Sequence, residues 1–147
     1  ICSSLIEKIN NSFKKIDIIL SPAIGGIVVG YEIGRQLKIQ TIFAEREDNK
    51  LILRRGFMIK PNSNVLVIED VITTGKSALE CSKIIKMSGA NLVGYSCIID
   101  RSSEEVLIKD KIVSQIKFEI KTFSEDKLPE ELRKINPTKP GSRVLSK

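Results

Sequence analysis

Apolar positions along the 147-residue chain recur in two rhythms that alternate. Leu5, Ile6, Ile9 and Phe13 fall at helical spacing and predict a helix over residues 1–15. Asp17-Ile18-Ile19-Leu20 is a short apolar run closed by Ser21-Pro22, the pattern of a buried strand. A glycine-rich helix is predicted to begin at Gly25-Gly26; glycine is a poor helix former, so these residues point to close backbone approach. Gln40 to Ala44 reads as a strand, and Glu45 to Arg55 is a charged stretch with little apolar content. Phe57-Met58-Ile59, Pro61 to Asn64 and Val65 to Ile68 read as strand, turn and buried strand. A helix over 76–88 and a strand over 92–99 follow, and the tail from residue 124 reads as irregular.

Continuously apolar strands separated by helices indicate a sheet covered on both faces. The fold class expected is α/β: one domain over residues 1–147, with a doubly wound, mostly parallel sheet flanked by helices. Hydrophobic residues at 41% and charged residues at 29% suit an ordinary globular domain. No apolar run approaches the ~20 residues that span a bilayer, and no signal peptide pattern opens the sequence, so the expected compartment is the cytoplasm. Cys2, Cys81 and Cys97 are widely spaced, which favours free thiols over disulfides or a zinc site. With no histidine, Ser-His-Asp and Cys-His nucleophilic machinery is excluded. Chemistry here must use carboxylates, cations, hydroxyls and backbone dipoles. The net charge of +6 suits either a basic surface or a polyphosphate site, and position must decide between them.

Position favours the second. Val65 to Ile68 drives a strand into the core and ends in two adjacent carboxylates, Glu69 and Asp70. Val71-Ile72-Thr73-Thr74-Gly75-Lys76-Ser77 then leads into a helix. Open α/β sheets bind ligands at the carboxyl ends of strands. A helix start offers unpaired N–H groups to a phosphate, and small hydroxyl residues add donors. Helix capping would account for Thr-Thr-Gly-Lys-Ser alone, but not for the whole strand, acid pair, loop and helix. The Walker A pattern is not met, because its first glycine is missing.

This passage resembles the PRPP-binding motif of the type I phosphoribosyltransferases, PRPP being the pyrophosphate-activated ribose 5-phosphate. Ser21-Pro22-Ala23-Ile24-Gly25-Gly26, Phe43 to Glu47 with Leu53 to Phe57, and Asp100-Arg101-Ser102 are similar to segments of the orotate-using members. Lys139 to Arg143 resembles the closing segment of one bacterial branch. The resemblance implies that Glu69 and Asp70 hold the ribose hydroxyls and that Thr73, Thr74, Gly75, Lys76 and Ser77 cradle the 5′-phosphate. It implies that Ala23, Ile24, Gly25 and Gly26 present amides to the pyrophosphate, with a cis peptide at Ala23-Ile24. Arg46, Lys50, Arg54 and Arg55 would flank a mobile loop over the pyrophosphate, and Thr73 and Arg101 would meet orotate. Arg46, Lys50 and Asp70 are the implied catalytic residues. The cations between Glu45 and Arg55 also fit a solvated hairpin interleaved with Glu47 and Asp48.

The activity implied is transfer of phosphoribose from PRPP to orotate, a step of pyrimidine biosynthesis. Mg²⁺ would be held through PRPP rather than by direct protein ligands. A homodimer is implied, with the mobile loop acting across subunits; nucleic acid and membranes are not expected partners. Two alternatives stand beside it: a PRPP-binding regulator of the same fold, and a purine phosphoribosyltransferase. Orotate-using members also carry an amino-terminal hood segment over the base. Nothing in this sequence matches it, so the expectation is either that the chain is incomplete, its hood segment missing, or that the acceptor pocket is unfinished.

Overall fold

The computed structural model describes residues 1–103, 106–120, 123 and 125–136. Helix α1 (Cys2–Ser12) leads into strand β1 (Ile18–Pro22), helix α2 (Gly25–Leu37), strand β2 (Gln40–Glu47) and strand β3 (Lys50–Leu53). Strand β4 (Asn64–Ile72), helix α3 (Lys76–Met87), strand β5 (Asn91–Asp100) and strand β6 (Ile112–Lys117) follow. A 3₁₀ turn (Glu125–Lys127) and a one-turn helix α4 (Glu130–Arg133) lie in the tail that the sequence reads as irregular. The Lys139 to Arg143 segment lies outside the described residues.

The strands form one six-stranded sheet in the order β3-β2-β1-β4-β5-β6. All neighbours are parallel except β3, which pairs antiparallel with β2. Helices cover both faces, as the apolar strands require, because a strand's successive side chains point to opposite sides. Ile18, Leu20, Val65, Val67, Tyr95 and Cys97 pack with Ala78, Cys81 and Ile85 of α3 on one face. Ile19, Leu66 and Ile68 pack with Leu5 and Ile9 of α1 and Ile33 of α2 on the other. The expected doubly wound architecture is therefore the observed one. Cys81 and Cys97 are buried free thiols, and Cys2 is a half-buried one.

One segment differs from the sequence expectation, and two others add to it. Phe57-Met58-Ile59 is not a strand. Arg55 and Gly56 take positive φ (56° and 75°), Phe57 N–H bonds back to Arg54 O at 2.9 Å, and the chain runs as an extended connection. Its apolar character serves to plug the core. Phe57 packs edge-on against Phe43 at 5.0 Å between ring centroids, Ile59 is buried, and Met58 points to solvent. The charged stretch after Ala44 is largely hydrogen-bonded, because β2 runs on to Glu47 and returns as β3. Asp48 and Asn49 make the two-residue turn with φ of 46° and 63°, the left-handed pair that a tight hairpin demands. Strand β6 carried no clear sequence signal. It lies at the sheet edge, and only Val113 among its residues is buried.

Substituting Leu66→Ala, in a fully buried position, is expected to remove about 2–5 kcal/mol of stability, read by urea unfolding. Ile116→Ala, on the exposed end of β6 (47% accessible), is expected to cost under ~1 kcal/mol. Comparable losses at both sites would contradict this placement of the core.

Candidate active site

The central strands β1 and β4 pair only over Ile18↔Val65, Ile19↔Leu66 and Leu20↔Val67. Beyond that point β1 stays with β2 as far as Pro22↔Ala44, and β4 continues along β5 as far as Ile72↔Asp100. Pro22 has no N–H to offer a neighbour, which suits a strand leaving its ladder. The parting also falls where the order of the sheet reverses, since β1 feeds α2 towards one edge and β4 feeds α3 towards the other. Such switch points hold the ligands of open α/β sheets. Here the crevice is a cavity of about 720 Å³ lined by residues 22–26, Arg46, Asn49, Glu69, Asp70, Val71 and residues 73–77.

Two helices begin in this cavity. Neither α2 nor α3 has a side-chain cap on its first N–H groups. Thr73, Thr74 and Ser77 therefore do not cap α3; they line the cavity instead. Uncapped amides and the positive ends of two helix dipoles converge on one space, an arrangement suited to anions. Gly75 allows the turn into α3. Its φ is +77°, and a β-carbon there would stand 2.7 Å from Ile108. The Ala23-Ile24 peptide is cis, as the resemblance implies.

The two carboxylates follow the alternation of β4. Glu69 falls on the α3 side, where Val65 and Val67 also point, and it is 9% exposed. Asp70 falls on the α2 side and lies against Gly25, where any β-carbon would collide with the carboxyl group. Asp70 Oδ1 accepts the N–H of Val71 at 2.9 Å. Burial, and secondarily the negative charge of Asp70, push the Glu69 carboxyl up to about 7. Near neutral pH it can therefore donate a hydrogen bond as well as accept one. A pair of oxygen-rich side chains with both capacities suits vicinal sugar hydroxyls.

Of the four implied loop cations, only Arg46 lines the cavity. Alternation along the β2–β3 hairpin separates Arg46 from Lys50, because residues paired across a ladder share a face. Arg46 pairs with buried Leu51 and so shares its face, whereas Glu47 and Lys50 form the next pair and project oppositely. Arg54 pairs with Glu47 at 3.3 Å, and Arg55 grips Glu45 through two bonds of 2.9 Å. The Arg55 contact holds the Glu45 carboxyl below the usual carboxylate range. Arg101 is exposed just beyond β5 and outside the cavity lining, its N–H bonded to Ile72 O at 2.8 Å. Sequence reasoning missed Asn49, which the hairpin turn delivers to the cavity, and Glu80 of α3, which accepts from Arg46 at 3.1 Å. The Asp-Asn pair of the turn was the available signal for the first. Glu80 left none, since its partner lies 34 positions away.

The chain matches the family described as phosphoribosyl transferase domain over residues 1–127. It is 42% identical over 147 residues to an orotate phosphoribosyltransferase of Parvibaculum lavamentivorans, covering 99% of this chain and 76% of that protein. It is 45% identical over 148 residues to an orotate phosphoribosyltransferase of Methylorubrum populi, covering 100% of this chain and 76% of that protein. Among solved structures, an adenine phosphoribosyltransferase from Thermoanaerobacter pseudethanolicus superposes with a TM-score of 0.65 at 17% identity, covering 79% of each chain. At that identity the superposition shows a shared fold.

The raised Glu69 carboxyl makes stability depend on pH. Between the ordinary value of 4.5 and about 7 the folded chain holds a proton that the unfolded chain has lost. The stability from this group is complete below the ordinary value and drains away as pH climbs through 7, by on the order of 3 kcal/mol. Glu69→Gln is expected to abolish that decline in denaturant titrations between pH 5 and 8. Parallel profiles for the variant and the wild type would show that Glu69 titrates normally.

Proposed function

This chain belongs to the phosphoribosyl transferase domain family, and on that premise we propose that it transfers phosphoribose from PRPP to orotate, yielding orotidine 5′-monophosphate and pyrophosphate. The observation that carries the reaction class is the cavity itself, where an acid pair at the end of β4 faces two uncapped helix N-termini. The acceptor rests on relatives 38–45% identical that carry the name orotate phosphoribosyltransferase.

In this assignment the amides and hydroxyls of residues 73–77 hold the 5′-phosphate. Glu69 and Asp70 hold the 2′- and 3′-hydroxyls, and the Ala23 to Gly26 turn with Arg46 receives the pyrophosphate. The bond from ribose C1 to the pyrophosphate oxygen breaks, leaving oxocarbenium character on C1, and the bond from C1 to an orotate ring nitrogen forms. The orotate ring attacks as an anion, so no protein base is required, in keeping with a chain that has no histidine. The residues orient the sugar and neutralise the departing charge where it develops.

Glu69 and Asp70 are hard oxygen donors of the type Mg²⁺ takes, usually one or two carboxylates beside substrate phosphates. That donor set fits a magnesium ion held chiefly by substrate oxygens, where it would offset pyrophosphate charge. Arg101, at the end of β5, is assigned to the orotate ring together with Thr73. Lys50, Arg54 and Arg55 are assigned to the surroundings of the pyrophosphate once the hairpin closes over it. A homodimer in the cytoplasm completes the proposal; among the described residues no helix is long and apolar enough to cross a membrane.

The deciding assay mixes the chain with PRPP and Mg²⁺ and offers orotate, uracil, adenine and hypoxanthine in turn. Pyrophosphate release with orotate alone is expected; release with adenine or hypoxanthine instead would move the enzyme to the purine branch. Asp70→Asn keeps the shape of the side chain but weakens its hold on the sugar. Loss of one charge-assisted hydrogen bond, about 1.5–3 kcal/mol, is expected to lower kcat/KM by roughly 10- to 100-fold. Unchanged steady-state kinetics would remove Asp70 from the site.

A further inference from the structure

Arg46 is the one implied loop cation that reaches the cavity, and it does not stand alone. Its Nη1 donates to Asn49 O at 2.7 Å and to Glu80 Oε2 at 3.1 Å, and its Nη2 donates to Glu80 Oε1 at 3.4 Å. Glu80 Oε2 also accepts the backbone N–H of Leu51 at 3.1 Å. One carboxylate of α3 thus holds a guanidinium of β2 and an amide of β3 together. The Glu80 side chain is 17% exposed against 40% for Arg46. Arg46 lines the cavity, whereas Glu80 does not. The carboxylate thus holds the guanidinium from outside the cavity lining.

From this arrangement the geometry points to Glu80 as the positioning residue for Arg46: it fixes the hairpin to α3 and orients the guanidinium towards the pyrophosphate of PRPP. The inference rests on the reaction proposed above and adds to it a residue that contacts no substrate. An exposed arginine loses several rotatable torsions when it engages an anion, and a carboxylate that already holds it removes part of that entropy cost. The pairing is nearly fork to fork, so it sets direction as well as distance. The same contacts tie α3 to the hairpin. The helix whose N-terminus faces one phosphate carries, one turn further on, the anchor of the cation that faces the other.

Glu80→Gln tests this with little risk to the fold, because the amide oxygen can still accept the Leu51 N–H. The variant is expected to raise KM for PRPP and lower kcat/KM for PRPP about tenfold, with KM for orotate unchanged and the midpoint of thermal unfolding within a few degrees of wild type. In an Arg46→Ala background the same substitution is expected to cost no more than about twofold, since the residue it positions has gone. An equal further tenfold loss in that background would show that Glu80 acts through the fold and not through Arg46. Unchanged or improved kcat/KM for PRPP in Glu80→Gln beside an active wild type would overturn the positioning role alone. A wild-type chain that neither binds PRPP by calorimetry nor releases pyrophosphate would take down the proposed reaction, and this role with it.

Discussion

The separation of β1 from β4 after Leu20 and Val67 is the constraint from which the site follows. While two parallel strands stay paired, their backbones satisfy each other and leave no space between them. Once they part, each needs another use for its polar groups. β1 turns through Pro22 and the cis peptide into α2, and β4 ends in carboxylates before α3. Both helices start beside the gap with uncapped amides, so the unmet hydrogen-bonding capacity of four elements collects in one cavity. Pocket and donors have a single origin.

Placing two adjacent carboxylates in one cavity is electrostatically awkward, and the fold handles the two acids differently. Glu69 sits among apolar neighbours, and burial raises its carboxyl to about 7. Asp70 lies against Gly25 and accepts the Val71 amide. The glycine matters for space more than for flexibility, because any side chain there would occupy the carboxylate's position. Positive potential comes from the helix ends and from Arg46 and Lys76, which line the cavity. The surplus of +6 on the chain is compatible with a polyphosphate substrate but does not by itself locate the site.

The β2–β3 hairpin shows how pairing sorts residues that look equivalent in the sequence. Arg46, Lys50, Arg54 and Arg55 lie within ten positions of one another, yet only Arg46 lines the cavity, pleat and register having turned Lys50 to the opposite face. Arg54 and Arg55 are engaged by Glu47 and Glu45 on the hairpin. Exposed pairs of this kind contribute little stability. Glu80 has a different standing, because it ties a cavity residue to a helix in a partly buried setting.

The amino-acid sequence alone determined the α/β class, the order of the main elements, the acid pair at the end of β4 and the hydroxyl-rich turn into α3. Each of these is written locally: apolar runs of strand length, helical periodicity, and a motif contiguous over thirteen residues, Val65 to Ser77. The tertiary structure decided what local pattern cannot carry. It joined the Pro22 to Gly26 turn to that motif across the sheet and put Arg46 in the cavity while leaving Lys50 out. It also supplied Glu80 and recruited β6 as an edge strand. Phe57 to Ile59 marks the boundary most plainly. Its apolar run is that of a strand, but an apolar segment becomes a strand only where a neighbour has hydrogen bonds to share, and here the sheet edge was already taken by β3. Hydrogen-bond partners and cavity walls are long-range pairings, and residues far apart in the chain meet only once the sheet has assembled.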